Sequence, residues 1–211
     1  MNALQIRHSG NQKLEISVFS GHFATRHSHN THYIDITRMK HEHTMAREAA
    51  IVLAQRYTYE KRVDTIVCLD GSEVIGAFLA RHLAQGGMFA VNQNKSINVI
   101  TPEYDSNGQL IFRDNLIPMV SGKNALVLIS TVNSGKTARR CLECLEYYGA
   151  HVQGIATVFS VLEQVENVPV FSLFTPEDIP GYATYDAKSC PMCRAGRKID
   201  ALSNSYGFSR V

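Results

Sequence analysis

The sequence predicts a single α/β domain: a twisted, mostly parallel sheet with helices on both faces. Three observations predict it. Short apolar runs alternate with segments of helical spacing across residues 43–174, the order of a parallel sheet. The 211 residues are 45% hydrophobic and 19% charged, enough for one sizeable core. The run ALVLI passes directly into the polar stretch STVNSGKT and then into a helix. That puts a polar turn at a strand's carboxyl end, where open α/β sheets bind ligands.

Each element has its own signal. Residues 1–42 are polar, histidine-rich and irregular, with a short strand expected at HYIDI. In TMAREAAIVLAQRY, Met45, Ala49, Val52 and Leu53 fall on one helical face. TIVCL reads as a buried strand, Asp70-Gly71 as a turn, SEVIGAFLARHLAQ as a helix and SINVIT as a strand. Residues 102–118 carry turn signals at Pro102 and Asn107-Gly108 and read as a hairpin or mobile loop. ALVLI is a strand, KTARRCLECLEYYG a helix, and HVQGIATVFS and VPVFSLF the closing strands. Residues 175–211 read as a tail of turn formers around CPMC, forming with residues 1–42 a small hood over the strand ends. There is no internal repeat.

A formal net charge of +2 makes no case for nucleic acid or an acidic membrane surface. No signal peptide and no bilayer-spanning apolar run is found, and the chain is read as cytoplasmic. Five cysteines, an odd number, do not suggest a disulfide framework.

STVNSGKT invites comparison with the nucleotide-hydrolysing loop Gly-x4-Gly-Lys-Ser/Thr, but the first glycine position is Ser130. Two readings stay open on this segment alone. Backbone N–H groups at the helix N-terminus, with the Ser134 and Thr137 hydroxyls, can hold a phosphate monoester. Equally, Asn133 or Ser134 can serve as an ordinary helix cap.

ALVLISTVNSGKTARRCLECLEYYGAHVQGIATV resembles the PRPP-binding region of type I phosphoribosyltransferases: an apolar strand, two acidic residues, a hydroxyl- and glycine-rich loop, then a helix. GHFATRHSHNTHYIDI, VDTIVCLDGSEVIGAFLARHLA and the tail CPMCRAGRKID are similar to segments of one branch, orotate phosphoribosyltransferase. The resemblance implies a type I phosphoribosyltransferase-like fold, PRPP or a nucleoside monophosphate and a nucleobase as ligands, Mg²⁺ as helper, and a homodimer. It implies that Asn133, Ser134, Gly135, Lys136 and Thr137 hold the 5′-phosphate. It puts Asp70, Gly71 and Ser72 in the pyrophosphate turn, with Arg26 nearby.

The chain departs from the family in three places. The acidic pair falls at Ser130 and Thr131, or at Ile129 and Ser130 if the loop is counted one longer. A hydroxyl can bond a ribose hydroxyl but carries no charge for a hard cation. The mobile loop PEYDSNGQLIFRDNLIP has no lysine and one arginine, Arg113, the remaining catalytic candidate. Phe159-Ser160-Val161 stands where the orotate enzymes have Asp-Arg. Two functions follow: a divergent transferase in which Arg113, Arg26 or histidines substitute, or a protein that senses PRPP or a nucleotide without turnover.

Cys190 and Cys193 have metal-ligand spacing and are candidates for Zn²⁺, with histidines or a second subunit completing the set; a tail turn with free thiols is the alternative. Cys141 and Cys144 lie on the apolar face of a helix and read as core thiols, as does Cys68 in its strand. His27, His29, His32, His41 and His43 read either as a solvated polar segment or as contacts to a phosphate or metal-bound substrate.

Overall fold

The structure is a computed structural model describing residues 3–26 and 28–211. His27 lies outside the described residues. The chain runs β1 (Ala3–His8), β2 (Asn11–Ala24), β3 (Ser28–Asp35), α1 (Thr37–His41), α2 (His43–Tyr57), β4 (Thr65–Cys68), α3 (Glu73–Ala84) and β5 (Asn98–Ile100). It continues β6 (Glu103–Tyr104), β7 (Leu110–Ile111), β8 (Asn124–Val132), α4 (Lys136–Tyr147), β9 (His151–Ser160), β10 (Gln164–Val165) and β11 (Val168–Phe174). The tail adds β12 (Thr184–Asp186), α5 (Pro191–Arg194), β13 (Ala201–Asn204) and β14 (Gly207–Arg210).

The central sheet has the order β10-β11-β9-β8-β4-β5, and all its pairs are parallel except β10 with β11. Its middle strands are apolar on both faces because both faces are covered. Ile66, Cys68, Leu126 and Leu128 pack in one cluster with α2 and α3. Val67, Val127 and Ile129 pack in the other with Ala138, Cys141, Leu142 and Leu145 of α4. Cys68, Cys141 and Cys144 are core thiols, as expected: burial pushes Cys68 up to about 12 and Cys144 up to about 11.

The described part of residues 1–42 is more regular than expected. β1, β2 and β3 form antiparallel pairs in a second sheet of order β12-β3-β2-β13-β14, with β1 also on β2. The physical reason lies in KLEISVF, where Leu14, Ile16 and Val18 alternate with polar residues and sink into the α2–α3 cluster. The tail is likewise strands rather than a string of turns. β12 pairs with β3, and β13 runs parallel to β2 at Ala201↔Phe23 and Leu202↔Ala24. The hood is one sheet assembled from both ends of the chain. Residues 103–111 form the small β6–β7 hairpin. No described helix is long and apolar enough to cross a membrane.

Gly76 in α3 shows how tightly the helix lies on the sheet. A Cβ there would meet Cys68 Sγ at 2.5 Å and Val99 Cγ1 at 3.1 Å. Gly76→Ala should therefore destabilise the fold by about 1–3 kcal/mol, although alanine is the better helix former. Cys68→Ala in the same chain removes the clashing sulfur. Urea unfolding of both single variants and the double variant should show a loss smaller than the sum of the singles; strict additivity would mean that this contact does not set the helix position.

Candidate functional site

Two turns leave the carboxyl edge of the central sheet side by side. After β4 the chain turns through Asp70 (φ 57°) and Gly71 (φ 77°) into α3. After β8 it turns through Asn133, Ser134 and Gly135 into α4. Gly135 has φ 73°, and a Cβ there would lie 3.1 Å from Leu162 and 3.3 Å from Val165, so the turn requires glycine. Two hydroxyls fix the turns to each other. Ser130 Oγ donates to the Asp70 carbonyl oxygen at 3.0 Å, and Ser72 Oγ donates to the Leu128 carbonyl oxygen at 3.0 Å.

The turns form one wall of a cavity of about 310 Å³. Arg26, Asp70, Thr131, Asn133, Ser134, Gly135, Lys136 and Thr137 all line it. The first N–H groups of a helix have no partner within it and carry its positive dipole end. Lys136, Arg140 and Arg26 add three cationic side chains. Arg140 escaped the sequence reading, although its i,i+4 spacing from Lys136 places both on one face.

Other sequence candidates stand elsewhere. Ser130 and Ser72 are buried, with their hydroxyls committed as above, and neither they nor Gly71 line the cavity. The position of the expected acid at Ser130 is thus a bracket between two loops. Arg113 is exposed near the β6–β7 hairpin and pairs with Glu103 at 2.8 Å, outside the cavity wall. Ser160 closes a turn, accepting from the Leu162 N–H at 3.0 Å. His41 and His43 are exposed at the α1–α2 junction. Cys190 and Cys193 meet His22 and His29 within the hood. The sequence reading missed His22, because no regular spacing links it to the tail.

The opposite wall comes from the hood and was largely invisible in the sequence. Ser28, Asn30 and His32 point in from β3, while Tyr182, Asn204 and Ser205 come from the tail. Tyr182 donates to Asn133 Oδ1 at 3.1 Å, packs its edge against Phe159 and stacks on His32. Burial raises the Tyr182 phenol above its ordinary value and lowers His32 below 6.5. Asn30 is buried, and its Oδ1 has no hydrogen-bond partner among the described residues. An unpaired buried acceptor costs about 1–3 kcal/mol, and a ligand N–H or O–H would remove that cost.

The Asp70 turn is braced from below by Lys40, another residue the sequence reading missed. Its Nζ donates to the Ser205 carbonyl oxygen at 2.7 Å and lies over the Tyr206 ring. Burial lowers Lys40 below its ordinary value, against the pull of Asp70, Glu73 and Asp35. Burial likewise raises Asp70, against a Ser205 hydrogen bond and Lys40.

At the level of sequence, no protein-family model and no curated protein matches the chain. Solved structures do match. Leishmania donovani UMP synthase superposes with a TM-score of 0.56 at 15% identity, over 77% of this chain and 34% of that one. This chain thus spans about a third of that protein's length. Mycobacterium tuberculosis orotate phosphoribosyltransferase gives 0.51 at 15% identity, over 71% and 83% of the two chains. Adenine phosphoribosyltransferase from Thermoanaerobacter pseudethanolicus gives 0.52 at 13%, over 82% and 95%. At such identities the likeness concerns architecture, and on that ground the chain has the fold of the type I phosphoribosyltransferases.

Proposed function

We propose that the chain binds a phosphoribosyl compound, PRPP or a nucleoside monophosphate, in the cavity at the carboxyl edge of the central sheet. The observation that carries this is the Asn133–Thr137 turn. A left-handed glycine, wedged against Leu162 and Val165, presents a helix N-terminus to a cavity that Lys136, Arg140 and Arg26 also line. The 5′-phosphate sits on that turn. A base lies against Phe159, Tyr182 and His32, with Asn30 Oδ1 accepting from it. A cavity of about 310 Å³ matches the lower end of small-molecule sites, roughly 300–1,000 Å³.

Transfer of the phosphoribosyl group to a nucleobase, with release of pyrophosphate, is the second reading. Its support is the fold shared with orotate and adenine phosphoribosyltransferases and the Asp70 carboxylate on the cavity wall. Magnesium, which the resemblance implies, does not fit the donors here. Ser130 and Thr131 stand at the acidic places, and Asp70 is engaged by Ser205 and Lys40. A hard dication is held by carboxylates, and these residues do not offer magnesium a protein-bound site.

Thermal shift and calorimetry with PRPP, UMP, AMP and ribose 5-phosphate test the first reading. Each should raise Tm, whereas uridine and adenosine should not. Lys136→Met should weaken binding by about tenfold, the value of one charge-assisted contact. Equal shifts from nucleosides and nucleotides would overturn the phosphate assignment. Base-dependent pyrophosphate release selects transfer; its absence at protein concentrations equal to substrate selects binding alone.

Asp70 supplies a second test. Its value is raised in the folded state, so just above 3.8 the folded chain keeps a proton that the unfolded chain has released. That stabilising contribution is present at low pH and lost as pH rises through the raised value. Asp70→Asn fits the left-handed backbone, since asparagine tolerates positive φ, and it cannot ionise. The Tm advantage of Asp70→Asn over the parent should grow from about pH 4 to about pH 7. A constant difference would mean that Asp70 ionises without penalty.

A further inference from the structure

We propose that His22, His29, Cys190 and Cys193 form a structural Zn²⁺ site that fastens the tail of the chain to the hood. Four donor atoms from three separate segments converge, all within 4.8 Å of one another. His22 Nε2 is 3.0 Å from His29 Nδ1 and 3.7 Å from each sulfur, and Cys193 Sγ is 3.2 Å from His29 Nδ1. Ideal tetrahedral zinc bonds would separate two nitrogens by about 3.3 Å, nitrogen from sulfur by about 3.6 Å and two sulfurs by about 3.8 Å.

The tautomer of His22 agrees with this. Its Nδ1 lies 3.0 Å from the Arg197 carbonyl oxygen and 3.1 Å from that of Lys198. Carbonyls only accept, so Nδ1 carries the proton and the neutral ring turns the bare lone pair of Nε2 toward the other three donors. A backbone carbonyl holding the far nitrogen is the usual support for a metal-bound histidine. His22 is itself held: its N–H donates to Asp200 Oδ2 at 2.6 Å, and the Asp200 N–H donates to its carbonyl oxygen at 2.9 Å.

Two sulfurs and two imidazoles select zinc among common divalent ions. Four protein donors leave no open position, so the role is structural. Binding releases the two thiol protons, and Zn²⁺ with two thiolates and two neutral imidazoles has no net charge, which suits a site with three of its four residues buried. His29 sits between Ser28 and Asn30, both on the cavity wall, so the metal also fixes that wall.

The full chain, expressed with zinc and purified, should carry about one zinc per chain by elemental analysis, and Cys193→Ser and His22→Ala should lose it. His22→Cys, which keeps a tetrahedral donor set, should retain metal. Wild-type protein needs no substitution for the decisive measurement. After chelation, Co²⁺ should give the intense visible spectrum of a tetrahedral thiolate site, and zinc should slow alkylation of the exposed Cys193. No tetrahedral cobalt spectrum, equal alkylation with and without zinc, or a Cys190–Cys193 disulfide formed in the presence of zinc would each overturn the proposal.

Discussion

The hydroxyl of Ser130 donates to the carbonyl oxygen of Asp70, and the geometry of the whole cavity depends on that bond. β8 is the central strand, flanked by β9 and β4 in parallel register. Its end sends out the Asn133–Thr137 turn, and the end of β4 sends out the Asp70 turn. Ser130 and, one layer below, Ser72 bind these two exits together within the core. The consequence for the missing acid is direct. Ser130 is 1% exposed, and a carboxylate in its place would face the Asp70 carbonyl oxygen, an acceptor that cannot donate to it. Serine there is not a damaged acid; it is the residue that this packing of two loops requires.

The opposite wall rests on different physics. β8, β4 and their helices are held by two continuous apolar clusters. The far end of the hood, where β12, β13 and the tail meet β2 and β3, has few large buried apolar side chains. Phe23 is one of them, packed against the half-buried rings of Tyr33 and Phe208. Cys190, His22, His29 and Asn30 are buried there instead. Where apolar burial is scarce, small structures rely on a cross-link or a metal. The proposed zinc supplies that function at the point where residues 22, 29 and 190–193 converge, one residue from Asn30, whose Oδ1 has no partner among the described residues.

This division explains what the sequence made legible. TIVCL, ALVLI and the helices after them could be read because strands buried on both faces are continuous apolar runs, and each helix carries one apolar stripe. The turn from Asn133 to Thr137 could be read because it is local: a strand end, a glycine and a helix start. The hood could not be read in the same way. Its alternation at Leu14, Ile16 and Val18 is present, but β12 and β13 are strands only because β3 and β2 lie beside them. Tyr182, Asn204 and Ser205 reach the cavity through those long-range pairings, and His22 meets Cys190 across 168 positions of sequence. No spacing rule spans such distances. Arg113 stands away from the cavity wall, where its guanidinium pairs with Glu103 of β6.

The charge balance of the cavity bears on the choice between the two proposed readings, holding a ligand or transforming it. Arg26, Lys136 and Arg140 favour an anion in its ground state. Transfer from PRPP would develop positive charge on the sugar, and only interactions stronger at that point accelerate it. Negative charge near the ribose is what such a transition state needs. Here Thr131 is neutral, Ser130 is turned into the core, and burial disfavours the charge of Asp70. Stabilisation of a cationic sugar must then come from the phosphates of the ligand itself. Under the proposed reading this wall holds a phosphate better than it stabilises a cationic sugar, and for that reason binding is proposed ahead of transfer.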